Sequence, residues 1–345
     1  MTWYIEKGPD SDVVLSSRIR IARNLSNYPF PHKLNEAVSA KVSQEICQAL
    51  ACLGKSIKNE FIQVNMNELS QEDKLSLVEK HLISEDLTKG GIVRNAMIQK
   101  DESISVMVNE EDHIRIQAME AGMNLERAYE RAEKIAIYLE QTLPIGYNEK
   151  VGFTTACPTN TGTGLRASVM MHLPGLVIAG KIAPVMENIQ KMGYSVRGYY
   201  GENSNSLGNV FQISNQITLG LKEEELISDI KKLIQQIMDQ ERLIRKQLYS
   251  KNPLFVEDKV YRSLGILRNA RILTTDETVK MISDGRLGVA LGILNDVDEK
   301  SFNKIMASIG PASVQKAAGK IMEPAERDRM RSIVVREVLK KGEEI

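Results

Sequence analysis

Residues 157–168 read Cys157-Pro158-Thr159-Asn160-Thr161-Gly162-Thr163-Gly164-Leu165-Arg166-Ala167-Ser168. A thiol, a run of small flexible residues and one arginine fall within a single short stretch. Glycine lets a backbone approach a ligand closely. Arginine offers a rigid fork of donors matched to phosphate oxygens. The stretch reads as a loop suited to a polyanion or, equally, as a Gly/Thr-rich surface turn, a common punctuation of chains. Gly162, Gly164 and Ala167 fit the dinucleotide pattern G-x-G-x-x-A. That pattern needs a tight strand-to-helix turn, and Cys157, Pro158 and Asn160 make this one too long. No Walker string G-x-x-x-x-G-K-[ST] occurs.

Outward from this loop, arginines recur in company that asks for an anion. Ser16-Ser17-Arg18-Ile19-Arg20-Ile21-Ala22-Arg23 follows the apolar Val13-Val14-Leu15. On a strand, the period of two puts Arg18 and Arg20 on one face. A solvated face usually mixes charges, and this one carries no acid. After the strand-like Ile104–Val108 comes Asn109-Glu110-Glu111-Asp112-His113-Ile114-Arg115, an acidic cluster ending in arginine. A charged turn is the plain alternative there. Val196-Arg197-Gly198-Tyr199-Tyr200-Gly201-Glu202-Asn203 reads as a Gly-punctuated loop with one arginine and one glutamate.

As a set and in this order, SSRIR, NEEDHIR, CPTNTGTGLRAS and RGYYGE resemble the catalytic domain of the phosphagen (guanidino) kinases, spanning about residues 10–215. The resemblance implies that Arg18, Arg20, Arg115, Arg166 and Arg197 hold the nucleotide phosphates. It implies that Glu111 and Glu202 grip the acceptor guanidinium and that Cys157 is the reactive cysteine. The expected nucleotide-binding set is Ser16, Ser17, Arg18, Ile19, Arg20, His81, Arg115, Arg166, Ala167, Ser168, Val169, Met170, Arg197, Gly198, Tyr199, Tyr200 and Gly201. ATP is the implied cosubstrate, with Mg²⁺ bridging its phosphate oxygens and no protein-ligated metal. The chemistry suits these residue types. Phosphoryl transfer is catalysed by positioning and charge stabilisation. A protonated guanidinium has no free lone pair, so paired carboxylates must orient it and take its proton. A cysteine beside such charge is either an activated thiolate or a small buried apolar residue.

The departures from the family pattern point to one branch. Small-molecule members carry a helical domain before the first arginine motif, whereas only 17 residues precede Arg18. The acceptor pocket is therefore expected to be open, as an arginine borne on a protein requires. Past about residue 240 the chain also continues for about another hundred residues. Met170 stands where small-substrate members have a base-contacting histidine, and Tyr200 where arginine kinases have an arginine. These features are similar to the bacterial protein-arginine kinases, the McsB branch. Arg327-Asp328-Arg329-Met330-Arg331-Ser332 resembles that branch's RDxxRA motif, with Ser332 for alanine. The resemblance makes Arg327, Asp328, Arg331 and Ser332 an allosteric phosphoarginine site; an ordinary charged helix face is the alternative. His81 is matched to a nucleotide-contacting histidine of the branch.

Lys plus Arg equals Asp plus Glu at 45 each, which argues against generic nucleic-acid or membrane binding. No apolar stretch reaches the roughly 20 residues of a bilayer span. The N-terminus lacks a signal peptide's apolar core. Cys47, Cys52 and Cys157 form no CxxC pair, which fits a reducing cytoplasm. Helical spacing marks residues 35–53 and 125–143, ended by Gly54 and Pro144. Strand-like runs within residues 91–117 turn at Lys100-Asp101-Glu102; Phe153–Ala156 and Val210–Gln216 also read as strands. Residues 223–248 form a long amphipathic helix, with Gly265, Gly285, Gly288, Gly292 and Gly310 read as breaks between the short helices that follow.

The expected fold is α+β: an antiparallel sheet flanked by helices over residues 1–240, then an all-helical phosphoarginine-binding domain over 241–345. The expected activity is ATP-dependent phosphorylation of protein arginines. A small-molecule guanidino kinase and a phosphoarginine-binding protease adaptor remain open. The resemblance further implies protein substrates with accessible arginines, an activator protein, a Clp-type unfoldase, a homo-oligomer and a role in stress response.

Overall fold

The computed structural model describes residues 3–56, 60–198 and 207–340. The chain opens with β1 (Val14–Arg23), α1 (Glu36–Ser56), β2 (Phe61–Asn65) and α2 (Gln71–Glu79). A meander follows: β3 (Asn95–Gln99), β4 (Ile104–Val108) and β5 (Ile114–Ala121), then α3 (Leu125–Thr142). A small hairpin, β6 (Tyr147–Asn148) and β7 (Gly152–Phe153), precedes β8 (Leu165–His172), α4 (Pro174–Ile178), α5 (Ile182–Lys191), β9 (Tyr194–Gly198) and β10 (Val210–Asn215). The rest is helical: α6 (Glu223–Lys251), α7 (Pro253–Asn269), α8 (Thr275–Ala290), α9 (Glu299–Met306), α10 (Pro311–Ala318) and α11 (Pro324–Lys340).

Among the described residues, eight strands form one antiparallel sheet in the order β2-β3-β4-β5-β1-β8-β10-β9. The period-two reading of β1 holds: Ile19 and Ile21 are buried in the core, and Arg18 and Arg20 alternate with them. Helices α1, α3 and α6 cover the core face. The other face is the one that carries the arginines.

Three sequence expectations are corrected. The run 91–117 holds parts of three strands, because Asn109 and His113 close a tight turn between β4 and β5 (Asn109 N–H to His113 O, 3.0 Å). The boundary placed at 240 falls inside α6, which is one continuous helix packed on the sheet core as far as Ile244. The helix breaks at Asn252-Pro253, where Pro253 cannot donate to the preceding turn and the Asn252 side chain caps α7 by accepting from Phe255 N–H. Gly265 lies within α7, and Gly285 and Gly288 within α8, rather than between helices. The last two are packing glycines. A Cβ at Gly285 would sit 2.4 Å from the Phe302 ring, and one at Gly288 would sit 2.4 Å from Val260 Cγ1.

The helical part has its own core, centred on Val260, Leu264, Leu267, Phe302 and Ile305. Arginines tie it to the sheet. Arg245 donates to His172 O (2.8 Å) and Asp12 O (2.8 Å), and Arg286 donates to Ser11 O (3.0 Å). Residues 10–12 are thus held between α6 and α8. No helix among the described residues is long and apolar enough to cross a membrane.

Candidate active site

Antiparallel register, not sequence proximity, assembles the site. Arg20 on β1 is paired with Arg166 on β8, and Arg115 on β5 is paired with Ala22. Arg197 on β9 lies opposite Gln212, which lies opposite Met170, which lies opposite Ser16. Paired residues share a face, so Arg18, Arg20, Arg115, Arg166 and Arg197 all project from one side of the sheet. They line a cleft of about 950 Å³, together with Glu111 and Cys157. Arg166 is a strand residue; the flexible loop ends before it, at Gly164.

Five like charges in a desolvated space are costly without an anion. Burial, then the charges of Arg115, Arg166 and Arg197, pull Arg18 down to about 9. Arg20 is likewise depressed, by burial first and then by Arg18, Arg115 and Arg166. Its Nε and Nη2 are buried with no hydrogen-bond partner. Arg115 is compensated within the cleft. Burial works against its charge, but Glu110 outweighs that and raises its pKa. Nη1 of Arg115 donates to both Glu110 oxygens at 2.5 Å.

Glu110 was missed in the sequence, being one position from the expected Glu111. The acidic cluster divides its labour. Glu110 is buried, anchors Arg115 and accepts from Ser84 Oγ. Asp112 is buried and accepts from Asn24 Nδ2 (2.6 Å) and Ala156 N–H (2.7 Å), which pins the start of the Cys157 loop. Glu111 alone is exposed in the cleft. Partial desolvation, then Asp112, raises its pKa, against the pull of Arg115 and a hydrogen bond from the Cys157 thiol. Cys157 also lies 3.0 Å from Thr159 Oγ1. The period of two in NEED, buried-exposed-buried, was the signal available.

The nucleotide-binding expectations separate by the same alternation. Ser16, Met170 and His81 line a second, smaller cavity beside the cleft. Ser168 faces the cleft side and accepts from Arg18 Nε (3.3 Å). The side chains of Ile19, Ala167 and Val169 turn the other way, into the apolar core. Ser17 is buried and donates to Gly122 O (2.8 Å). Those four were drawn in by motif adjacency, and strand geometry removes their side chains from the cleft. His81 sits just past the α2 C-cap in left-handed conformation (φ 58°). Burial, then Arg18, pushes it down to about 4, so it is neutral near pH 7. Gly198 ends β9. Tyr199, Tyr200, Gly201 and Glu202 lie outside the described residues.

On α11, Arg331 is fully buried. It donates from Nε to Ile309 O (2.8 Å) and from Nη1 to Leu273 O (2.8 Å) and Asp328 Oδ1 (2.5 Å). Arg327 donates to Met322 O (3.1 Å) and is half-buried. Ser332 is buried and donates to Arg271 O (2.7 Å).

Residues 41–244 match the family model of the ATP:guanido phosphotransferase C-terminal catalytic domain. Residues 253–344 match that of the protein-arginine kinase McsB C-terminal domain. A protein-arginine kinase of Caldanaerobacter subterraneus subsp. tengcongensis is 43% identical over 334 residues, covering 97% of this chain and 99% of the relative. One of Bacillus pumilus is 43% identical over 338 residues, covering 98% and 93%. Among solved structures, the substrate-free duplicated taurocyamine kinase of Schistosoma mansoni superposes with TM-score 0.59 at 25% identity, over 74% of this chain and 39% of that duplicated one. Lombricine kinase shares the fold with TM-score 0.60 at 24% identity, over 69% and 68%.

Proposed function

The chain belongs to the ATP:guanido phosphotransferase family, in its protein-arginine kinase branch, and on that premise we propose that it transfers the terminal phosphoryl group of ATP to arginine side chains of proteins. The observation that carries the site assignment is the common face of the arginines, with Arg20 buried and partly unpaired. Binding an anion there would relieve the cost of that face. A triphosphate is the anion that suits five forks arrayed across four strands.

In this reading Arg18, Arg20, Arg115, Arg166 and Arg197 cradle the phosphates and spread the charge that develops on the transferred group. Glu111 and Glu202 orient the acceptor guanidinium, and one of them takes its proton as the N–P bond forms. The raised pKa of Glu111 suits that role, because a stronger base accepts a proton more readily. Cys157 stands beside it as a supporting group. No described cluster of three or more His, Cys, Asp or Glu is placed to hold a metal. On the family resemblance, Mg²⁺ would arrive on the phosphate oxygens, where it would neutralise charge. We also propose a division at Asn252-Pro253 into catalytic and regulatory parts, with Arg327, Asp328 and Arg331 as the phosphoarginine receptor. Dependence on an activator, delivery of clients to a Clp-type unfoldase, a homo-oligomeric state, a cytoplasmic location and a role in stress response rest on the family resemblance alone.

The test is incubation with ATP and either an unfolded arginine-bearing protein or free arginine, read by mass spectrometry that preserves the acid-labile N–P bond. Phosphoarginine on the protein is expected. Phosphorylation of free arginine in preference would establish the small-molecule reading instead.

A further inference from the structure

Two loops carry the acceptor-side groups of the cleft. The turn at 109–113 presents Glu111, and the loop at 154–164 presents Cys157. The two groups meet, since Glu111 accepts a hydrogen bond from the Cys157 thiol. The turn is rigid in itself. Asn109 adopts the left-handed conformation (φ 59°), and its Nδ2 donates to Ser39 O (3.0 Å) and Val93 O (2.9 Å).

The residue that joins the turn to the loop lies on neither. Asn24 follows directly on β1 and is buried. Its Nδ2 donates to Asp112 Oδ1 (2.6 Å) and to Thr154 O (3.1 Å), and its Oδ1 accepts from His113 N–H (2.9 Å). The same Asp112 oxygen accepts from Ala156 N–H (2.7 Å). One amide therefore ties together the neighbours of both functional groups, Asp112 beside Glu111 and Ala156 beside Cys157. An asparagine has two amide donors and an accepting oxygen, and this one uses both kinds. An aspartate of the same size would have no donor to offer.

Arg23, the last arginine of the SSRIRIAR run, has no part in the phosphate reading. It braces the same loop from its other stem. Nη1 donates to Thr163 O (2.9 Å) and Ala22 O (2.9 Å), and Nε donates to Glu140 Oε1 (2.7 Å). Its guanidinium carbon lies 3.3 Å from the centre of the Phe153 ring. Phe153 in turn closes the base of the loop by donating its N–H to Gly162 O (2.8 Å). Gly164 leaves room for the brace, because a Cβ there would sit 2.9 Å from Arg23 Nη1.

We infer that Asn24, braced by Arg23, is the positioning residue of the acceptor side. It fixes Glu111 and Cys157 against each other and against the arginines of its own strand. This inference rests on the reading of Glu111 as an acceptor carboxylate. β1 then serves both halves of the reaction. Arg18 and Arg20 project from it toward the nucleotide phosphates, and the end of the strand holds the loops that meet the guanidinium. Transfer between two bound groups is steep in distance, and a misplacement of about 1 Å costs about a hundredfold.

The experiment uses the full-length chain with ATP and an unfolded arginine-bearing protein. Asn24→Asp keeps the size of the side chain and sets a second carboxylate against Asp112. We expect turnover to fall by about a hundredfold. ATP affinity by calorimetric titration should stay the same, because the arginines stand on strands and not on the loops. Cys157 should react faster with iodoacetamide, read for each cysteine by mass spectrometry, while Cys52, exposed on α1, keeps its rate. Combining Asn24→Asp with Asp112→Asn exchanges donor and acceptor, and should recover about tenfold or more of the lost turnover.

Unchanged turnover in Asn24→Asp overturns the inference. A loss of ATP affinity as large as the loss of turnover also overturns it, since that marks damage to the sheet as a whole. A double variant no more active than Asn24→Asp alone overturns the pairing with Asp112. If Asn24→Asp does not fold, Arg23→Lys takes its place. Lysine keeps the charge but lacks the fork that spans Thr163 O and Glu140, so unchanged turnover and unchanged Cys157 alkylation there overturn the brace and the inference with it. Full activity in Glu111→Gln would instead remove the acceptor reading itself, a distinct result.

Discussion

The carboxylate of Glu79, at the end of α2, caps α10 through Ser313: Oε2 accepts from Ser313 N–H (2.8 Å) and from Ser313 Oγ (2.7 Å). Its other oxygen accepts from Ala312 N–H (2.7 Å). A residue of the catalytic domain thus satisfies the first-turn donors of a helix in the other domain, at the end where the helix dipole is positive. Gly310 makes the approach possible, because a Cβ there would sit 2.2 Å from Glu79 Oε2. We expect Glu79→Ala to lower stability by about 1–2 kcal/mol, the usual cost of losing a cap. Gly310→Ala should have a similar effect by forcing the carboxylate out. Chemical denaturation checks both, and an unchanged midpoint in each would remove the cap from the account of docking.

The cost of the arginine face predicts a trade-off. Arg18 is held down to about 9, so the folded state binds this proton less tightly than the unfolded chain does. The sign follows: charged Arg18 disfavours the folded state at every pH below that value, and the penalty fades as pH rises through it. Arg18→Met should therefore raise the melting temperature of the nucleotide-free protein by a few degrees and abolish ATP binding. Calorimetric melts with and without ATP measure both. A melting point that falls would show that Arg18 already has its anion from within the chain.

Glu110 and Glu111 are neighbours with opposite duties, and substitution should separate them. Glu111→Gln should abolish phosphoryl transfer while ATP still binds. Glu110→Gln removes the charge that holds Arg115, so both ATP affinity and turnover should drop, by about tenfold to a hundredfold. The pH profile gives an independent check. Because the Glu111 carboxyl is raised above its ordinary range by partial burial, Asp112 and Glu110, activity should fail on acidification earlier than for an ordinary glutamate. Rates across pH 4 to 8 would show it, and an acid limb at the ordinary position would exclude Glu111 as the group titrating.

How far the sequence reaches is clearest at Arg20 and Arg166. Each motif was visible alone, and the period of two in SSRIR put Arg18 and Arg20 on one face. That Arg166 lies opposite Arg20 depends on β1 and β8 pairing in one register, and no local pattern encodes that. The same gap explains Ser17, Ile19, Ala167 and Val169, which adjoin the arginines in sequence and face away from them in space. Gly285 and Gly288 misled for a related reason. Alone they signal a break, but here they make room for Phe302 and Val260, contacts set by tertiary packing. The cap that Glu79 gives α10 joins residues far apart in sequence and leaves no local trace.

The motif on α11 asks two different things of its arginines. Arg331 spends Nε and Nη1 on Ile309 O, Leu273 O and Asp328, all away from water. A phosphate arriving there meets only the remaining edge of its guanidinium, with Arg327 as the more accessible fork. Arg331→Ala should therefore cost about 3 kcal/mol of stability, since it leaves buried acceptors unpaired. Arg327→Ala should leave the melt unchanged and weaken binding of free phosphoarginine. Ile309 lies two residues beyond Ala307, which lines both cavities. A ligand that shifts Arg331 thus pulls on the segment that lines the arginine cleft. Phosphoarginine should then alter ATP affinity in the unaltered chain and not in Arg327→Ala. Calorimetric titration of ATP with and without phosphoarginine decides the matter: equal affinities in the unaltered chain would show that the two sites are not coupled.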